Sequence, residues 1–269
     1  MCYNKRFSIL GERVLIGEVE MVRTVDYETR RRAILAATID RYIKDAAPVA
    51  SEDIARDFAL SSATIRNVFA ELEEAGFLTH PYTSGGRIPT VRGYRYYVDL
   101  LLSQMELLSE EKESIVKECK KELRRFEDAL ENTSEVLTSI THYASIVSFL
   151  EWQGRIVYKG ISRIFEQPEF RDLAQVHMLV RMLEQKDDLL EIINRDFPGK
   201  VKVYIGSELG CPPMEQCALV VSGYRRKEKP SGRLAVLGPM RMEYSHTIPA
   251  LAYISDVLTQ VLDDIDGRT

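Results

Sequence analysis

The sequence predicts an α+β protein in three parts. A winged helix-turn-helix is expected over residues 25–100, a long amphipathic linking helix over 101–144, and a mixed helix-and-strand domain over 145–269; residues 1–24 form an N-terminal extension. Three observations carry this reading. Between Pro48 and Val98 a short helix, a tight connection, a second helix and a glycine-rich hairpin follow one another; from Leu101 to Ile140 apolar residues recur at spacings of three and four; beyond Ser145 strand and helix periods alternate.

Ile34, Leu35, Ile39, Tyr42 and Ile43 form the apolar stripe of a supporting first helix, ended by Pro48. Arg30, Arg31 and Arg32 at its start fit an exposed helix end, with phosphate contact as the less favoured reading. Ser51 is placed as the cap of a second helix carrying Glu52 and Asp53 in its first turn and Ile54, Ala55 and Phe58 on its apolar side. Ala59 and Leu60 make the turn. Ser61 or Ser62 then caps a third helix with Ile65, Val68, Phe69 and Leu72 on one face, and Gly76 stops it.

At 100° per residue, the side of this third helix opposite its apolar stripe presents Ala63, Asn67 and Ala70, flanked by Thr64 and Arg66. Two alanines allow close approach, an asparagine amide can pair with adenine, and an arginine can reach guanine or a phosphate. Glu71 and Glu74 would oppose phosphates, so only the first two turns are expected in a major groove. A solvated polar face without a ligand is the competing interpretation for such a helix taken alone.

Phe77 and Leu78 begin a strand, and Thr83, Ser84, Gly85 and Gly86 make a turn that delivers Arg87, as a wing does. Thr90 caps a further helix with Tyr94, Tyr97, Val98 and Leu101 as its stripe, from which Arg92 and Arg95 depart. From Ala75 to Val98 there is no acidic residue, against three arginines and His80. Positive charge is thus focused on the wing, the footprint expected for phosphate contacts. The candidate DNA-binding residues are Ser61, Ser62, Ala63, Thr64, Arg66 and Asn67 of the reader helix, Tyr82, Thr83, Ser84 and Arg87 of the wing, and Arg92.

The whole chain carries a net charge of −5 with pI near 5.6, which excludes general avidity for nucleic acid. Cys2, Cys119, Cys211 and Cys217 lack metal-ligand spacing and fit reduced thiols in a cytoplasmic protein. No apolar run reaches membrane-spanning length, and Glu12, Arg13, Glu18 and Glu20 interrupt any secretory signal, leaving Met21 as an alternative start. No phosphate loop, metal site or nucleophile–base set is present, so neither a cofactor nor enzyme activity is expected.

The linking segment places Leu101, Met105, Leu108, Ile115, Cys119, Leu123, Phe126, Leu130, Leu137 and Ile140 on one stripe, interrupted by Lys112 and Thr133. It can pack on its own chain or pair with a second copy. Further on, Ser145–Trp152 and Arg155–Gly160 read as paired strands, Pro168 to Phe197 as helical, and Val201–Ile205, Ala218–Tyr224 and Leu234–Leu237 as strands. Lys229–Gly232 is the expected turn, and Ser245–Leu262 the closing helix. Arg241, Glu243 and His246 form a loose polar cluster with a structural role.

The run SSATIRNVFAELEEAGFLTHPYTSGGRIPTVRGYRYYVDLLL, from Ser61 to Leu102, resembles the heat-inducible transcription repressor HrcA of bacteria. YKGISRIFEQPEFRD, from Tyr158 to Asp172, and ALVVSGYRRKEKPSGRLAVLGPMRMEYSHTIPALAYISDVL, from Ala218 to Leu258, are similar to the same family in the same order. The resemblance implies a winged-helix domain followed by a GAF-like domain, acting as a homodimer on an inverted-repeat double-stranded operator upstream of chaperone genes, with a chaperonin partner that keeps the repressor active. Family members carry an inserted dimerisation domain where this chain has only Ile146 to Val157, which implies that the insert is missing here. Val68 and Phe69 replace the usual acidic residue and methionine after the asparagine, and Gly85 replaces an alanine. Dimer formation is then expected to draw on the linking helix. A metabolite-sensing winged-helix regulator and a winged-helix protein-interaction module are the alternative functions.

Overall fold

In the computed structural model the chain folds as two units, residues 1–104 and 105–269. The structure describes residues 26–81, 86–102, 107, 109–119, 126–150, 156–170, 172–184 and 187–266; the expected N-terminal extension lies outside them.

The first unit is built on helix α1 (Tyr27–Asp45), whose apolar stripe buries Ile34, Leu35, Ile39 and Ile43. Ala46, left-handed at φ 50°, ends α1, and its N–H donates to the Tyr42 carbonyl. Helix α2 (Ser51–Phe58) begins at the residue expected to cap it. Ser51 is its first helical residue and is buried, and the cap position belongs to Ala50, which offers no side-chain acceptor. Ala59 and Leu60 close the turn as expected, with Ala59 at φ 51° and the Leu60 N–H on the Ala55 carbonyl.

Helix α3 (Ser62–Glu74) buries Ile65, Val68, Phe69 and Leu72, the four residues its period singled out. Ser61 caps it, accepting the Thr64 N–H at 3.0 Å. Gly76 ends it at φ 76°, a left-handed conformation that residues with a Cβ rarely adopt. Strands β1 (Leu78–Thr79) and β2 (Ile88–Pro89) pair antiparallel, and Val49 exchanges two 2.9 Å backbone bonds with Arg87 to widen the ladder. Gly86 permits that approach, since a Cβ there would sit 2.5 Å from the Val49 carbonyl oxygen. Helix α4 (Val91–Leu102) buries Tyr94, Tyr97 and Val98, with Thr90 as its cap: the Thr90 hydroxyl accepts the Gly93 N–H and donates to the Gly76 carbonyl.

The second unit contains a five-stranded antiparallel sheet of order β4-β3-β7-β6-β5, from β3 (Ala144–Phe149), β4 (Ile156–Lys159), β5 (Val201–Ile205), β6 (Cys217–Arg226) and β7 (Lys229–Pro239). Ile146, Leu219, Val221, Ala235 and Leu237 share one core with helices α7 (Ser162–Phe165), α8 (Leu173–Glu184) and α9 (Asp187–Ile193). Alternate residues such as Val147, Val220 and Val236 are equally buried under α6 (Phe126–Thr141) and α10 (Tyr244–Asp266). With both faces covered, β3 is buried throughout and β6 from Cys217 to Ser222, with no alternation of burial. This is the α+β layering expected from the sequence.

Two expectations need correction. In place of one linking helix over 101–144 the structure has the end of α4, a non-helical Leu107, and two separate helices, α5 (Ser109–Cys119) and α6, which belong to the second unit. A single rod would leave its stripe in water; folded back, Ile115, Cys119, Leu130 and Leu137 are buried, and Asn132 Nδ2 ties the pair by donating to the Glu118 carbonyl. Thr133 does not break the seam, because its hydroxyl donates to the Ala129 carbonyl. Lys229–Gly232 is also not the turn between the last two strands. Lys227 and Glu228, both left-handed, make a two-residue hairpin, and strand pairing resumes at Lys229. Gly232 serves close packing instead: a Cβ there would meet the Ser148 carbonyl oxygen at 2.1 Å and the Tyr224 hydroxyl at 2.3 Å.

Candidate nucleic-acid interface

Helix α3 divides into two electrostatic halves. In the first, Ser61, Ala63, Arg66 and Asn67 are exposed, followed by Ala70, while Ser62 and Thr64 are partly buried. The Thr64 hydroxyl is engaged with the Ser61 cap at 2.8 Å, so it shapes the helix start. Arg66 has no ion-pair partner among the described residues. Most of its neighbours in charge are engaged: Arg31 with Glu28 and Glu71, Arg41 with Asp45, Asp53 and Asp57, Arg56 with Asp53, and Arg87 with Glu73.

The second half holds three glutamates, two of which are engaged by contacts the sequence does not advertise. Tyr27 donates its hydroxyl to the Glu71 carboxylate at 2.6–2.7 Å, and this bond raises the tyrosine's pKa. Glu73 is held by the Arg87 guanidinium at 2.9 Å and by the His80 imidazole. Glu74 is exposed. Glu73 and Tyr27 were not among the expected site residues, because their partners lie 14 and 44 positions away and no local period links them.

The wing residues divide as well. Arg87 is only 24% exposed and anchored by Val49 and Glu73. Arg92 is exposed, donates to the Ala75 carbonyl at 2.7 Å and lies 4.7 Å over the Phe77 ring, closing the end of α3. Tyr82, Thr83 and Ser84 lie outside the described residues. Val68 and Phe69 are 3% exposed, so these departures from the family pattern alter helix packing and leave the outer face unchanged.

Elsewhere, Arg241, Glu243 and His246 do not converge. Arg241 binds Glu169 and Gln167, the Glu243 N–H donates to the Tyr143 hydroxyl, and His246 lies 3.0 Å from Glu111. Cys119, Cys211 and Cys217 are free thiols, the last pushed up to about 12 by burial. Among the described residues no His, Cys, Asp and Glu group could hold a metal, and no helix is long and apolar enough to cross a membrane.

Residues 27–106 match a family model described as the winged helix-turn-helix transcription repressor, HrcA DNA-binding, and residues 108–248 match the HrcA protein C-terminal domain. The chain belongs to the HrcA family. HrcA proteins are heat-inducible transcription repressors, and the winged helix is the DNA-binding domain of this one. The heat-inducible transcription repressor HrcA of Carboxydothermus hydrogenoformans is 29% identical over 335 residues, covering 87% of this chain and 98% of the relative. That of Brevibacillus brevis is 27% identical over 333 residues, with 87% and 97% covered. Both alignments exceed the 269 residues of this chain, so the relatives carry residues without a counterpart here. A crystal structure of a hypothetical protein shares the fold at a TM-score of 0.76 and 18% identity, covering 88% of this chain and 98% of that one. The family is regulatory.

Proposed function

We propose that this HrcA-family repressor silences chaperone genes by laying the first two turns of α3 in the major groove of an inverted-repeat operator. The observation that carries the proposal is the split charge of α3. Arg66 and Asn67 stand exposed at its start, and Glu71 and Glu73 further along are engaged by Tyr27, Arg31, His80 and Arg87. Base edges are read by Arg66 and Asn67 over a close approach at Ala63, with Ser61, Ser62 and Thr64 at the helix start. Arg87, Arg92 and the wing segment Tyr82–Ser84 position the domain on the backbone.

Repression needs no catalytic step, only occupancy of the operator by a cytoplasmic homodimer. The apolar stripes of α5 and α6 are consumed inside the second unit, so the pairing of two copies uses other surfaces. A chaperonin that restores DNA-binding molecules would couple repression to folding load. The test is footprinting on DNA upstream of the chaperone genes, with and without chaperonin. Protection of two half-sites, increased by chaperonin, supports the proposal; salt-insensitive or absent binding overturns it.

A further inference from the structure

We infer that the C-terminal unit holds a binding site for a small oxyanion, phosphate or carboxylate, at the open end of the sheet face covered by α7–α9. The last row of that face is Ser148, Arg233 and Gly223, cross-strand neighbours on β3, β7 and β6. Arg233 lies flat across this row: a Cβ on Gly223 would sit 2.6 Å from its Nη1, and its guanidinium stacks 5.2 Å from the Phe197 ring. It is thereby fixed and mostly desolvated, with a side chain 15% exposed.

Its compensation is poor. The Arg233 Nε is buried and finds no acceptor among the described residues, and the ion-pair partner is Asp196 at 3.4 Å, fully exposed to water. A cation held this way is expensive unless it is paired. Two more cations lie on the same sheet face, around Tyr204. Arg195, following α9, and Lys202 of β5 lie 5.9 and 5.7 Å from the ring centre of Tyr204, and neither has an ion-pair partner among the described residues. Arg195 and Phe197, the ring on which Arg233 stacks, leave the same short segment that follows α9, and both guanidiniums act electrostatically on Tyr204. Asn194 is already engaged, accepting from the Ser148 hydroxyl at 2.9 Å. Guanidinium forks held against Tyr204 and Phe197 suit an oxyanion that takes charge-assisted bonds. Asp196, at the rim, is the group such an anion would displace from Arg233.

Thermal unfolding of the full chain, titrated with inorganic phosphate and separately with succinate at ionic strength held constant by chloride, tests the site. A saturable rise in Tm with at least one of the two is expected, and the more effective one identifies the class. Arg195→Gln and Arg233→Gln should each weaken the apparent affinity about tenfold, the loss of a charge-assisted hydrogen bond, and Lys200→Gln, which removes a surface cation paired with Asp256, should not. If Arg233→Gln does not fold, Arg195→Gln and Tyr204→Phe carry the test. No response beyond chloride to either anion overturns the inference. So does a response unchanged by the Arg195 and Tyr204 variants.

Discussion

Glu73 of α3 and Arg87 beside β2 form an ion pair at 2.9 Å, with the His80 imidazole on the other carboxylate oxygen. The residue expected to meet phosphate is therefore already occupied in the free protein. An operator phosphate must compete with Glu73 for it. Glu73→Gln should tighten binding to any duplex about two- to fivefold, the scale of a partly exposed ion pair, as read by fluorescence anisotropy. Glu74→Gln, with the same charge change on an exposed neighbour, should do less. Weaker binding by Glu73→Gln would mean instead that Glu73 holds Arg87 in its contact position.

Arg87→Ala should weaken specific and random duplexes alike and lower the slope of log K against log salt by about one, since one phosphate contact is lost. Anisotropy titrations at several salt concentrations measure it. A selective loss on the operator alone would assign Arg87 to base reading.

Gly93 lets α4 approach the connection that follows α3. A Cβ there would sit 2.3 Å from the Phe77 carbonyl oxygen. Because this neighbour is backbone, Gly93→Ala should destabilise the winged helix by about 1–3 kcal/mol, seen as a lower urea midpoint for that transition. Unaltered stability would show that α4 can shift without loss.

Asp266, at the end of α10, accepts two bonds from the Arg226 guanidinium, which hold its carboxyl below the usual carboxylate range. A depressed folded pKa gives stability present above the unfolded value, about 3.9, and lost as pH falls through the folded one. Asp266→Asn should therefore lower stability at pH 7 by about 0.5–1 kcal/mol, and the difference from the unaltered protein should vanish in acid. Denaturant titrations across pH test this; a difference that persists in acid would point to packing.

Much of the first unit was legible because its signals are local. The Ser61 cap, the Ile65–Leu72 stripe, Gly76 and the Thr90 cap each rest on neighbours within a few residues, and each is found where spacing placed it. The outward face of Ala63, Asn67 and Ala70 follows from the same period. What was not legible depends on distant contacts. The break of the linking segment into α5 and α6 depends on the core those helices join, which the 3.6-residue period cannot reveal. Lys227 and Glu228 carry no usual turn signal; their hairpin is held in part by the Lys227 N–H donating to Asp263 of α10. The pairing of Glu73 with Arg87 and the placing of Arg195 over Tyr204 and of Arg233 over Phe197 are likewise products of tertiary structure.

The measurement that bears most directly on the account is selection of bound sites from random DNA, sequenced for the unaltered protein and for Arg66→Ala and Asn67→Ala. If the start of α3 reads bases, each variant should lose preference at its own position, repeated symmetrically in both half-sites, with discrimination there falling by about 1–3 kcal/mol. Recovery of the same motif with the same preferences from all three proteins would contradict it.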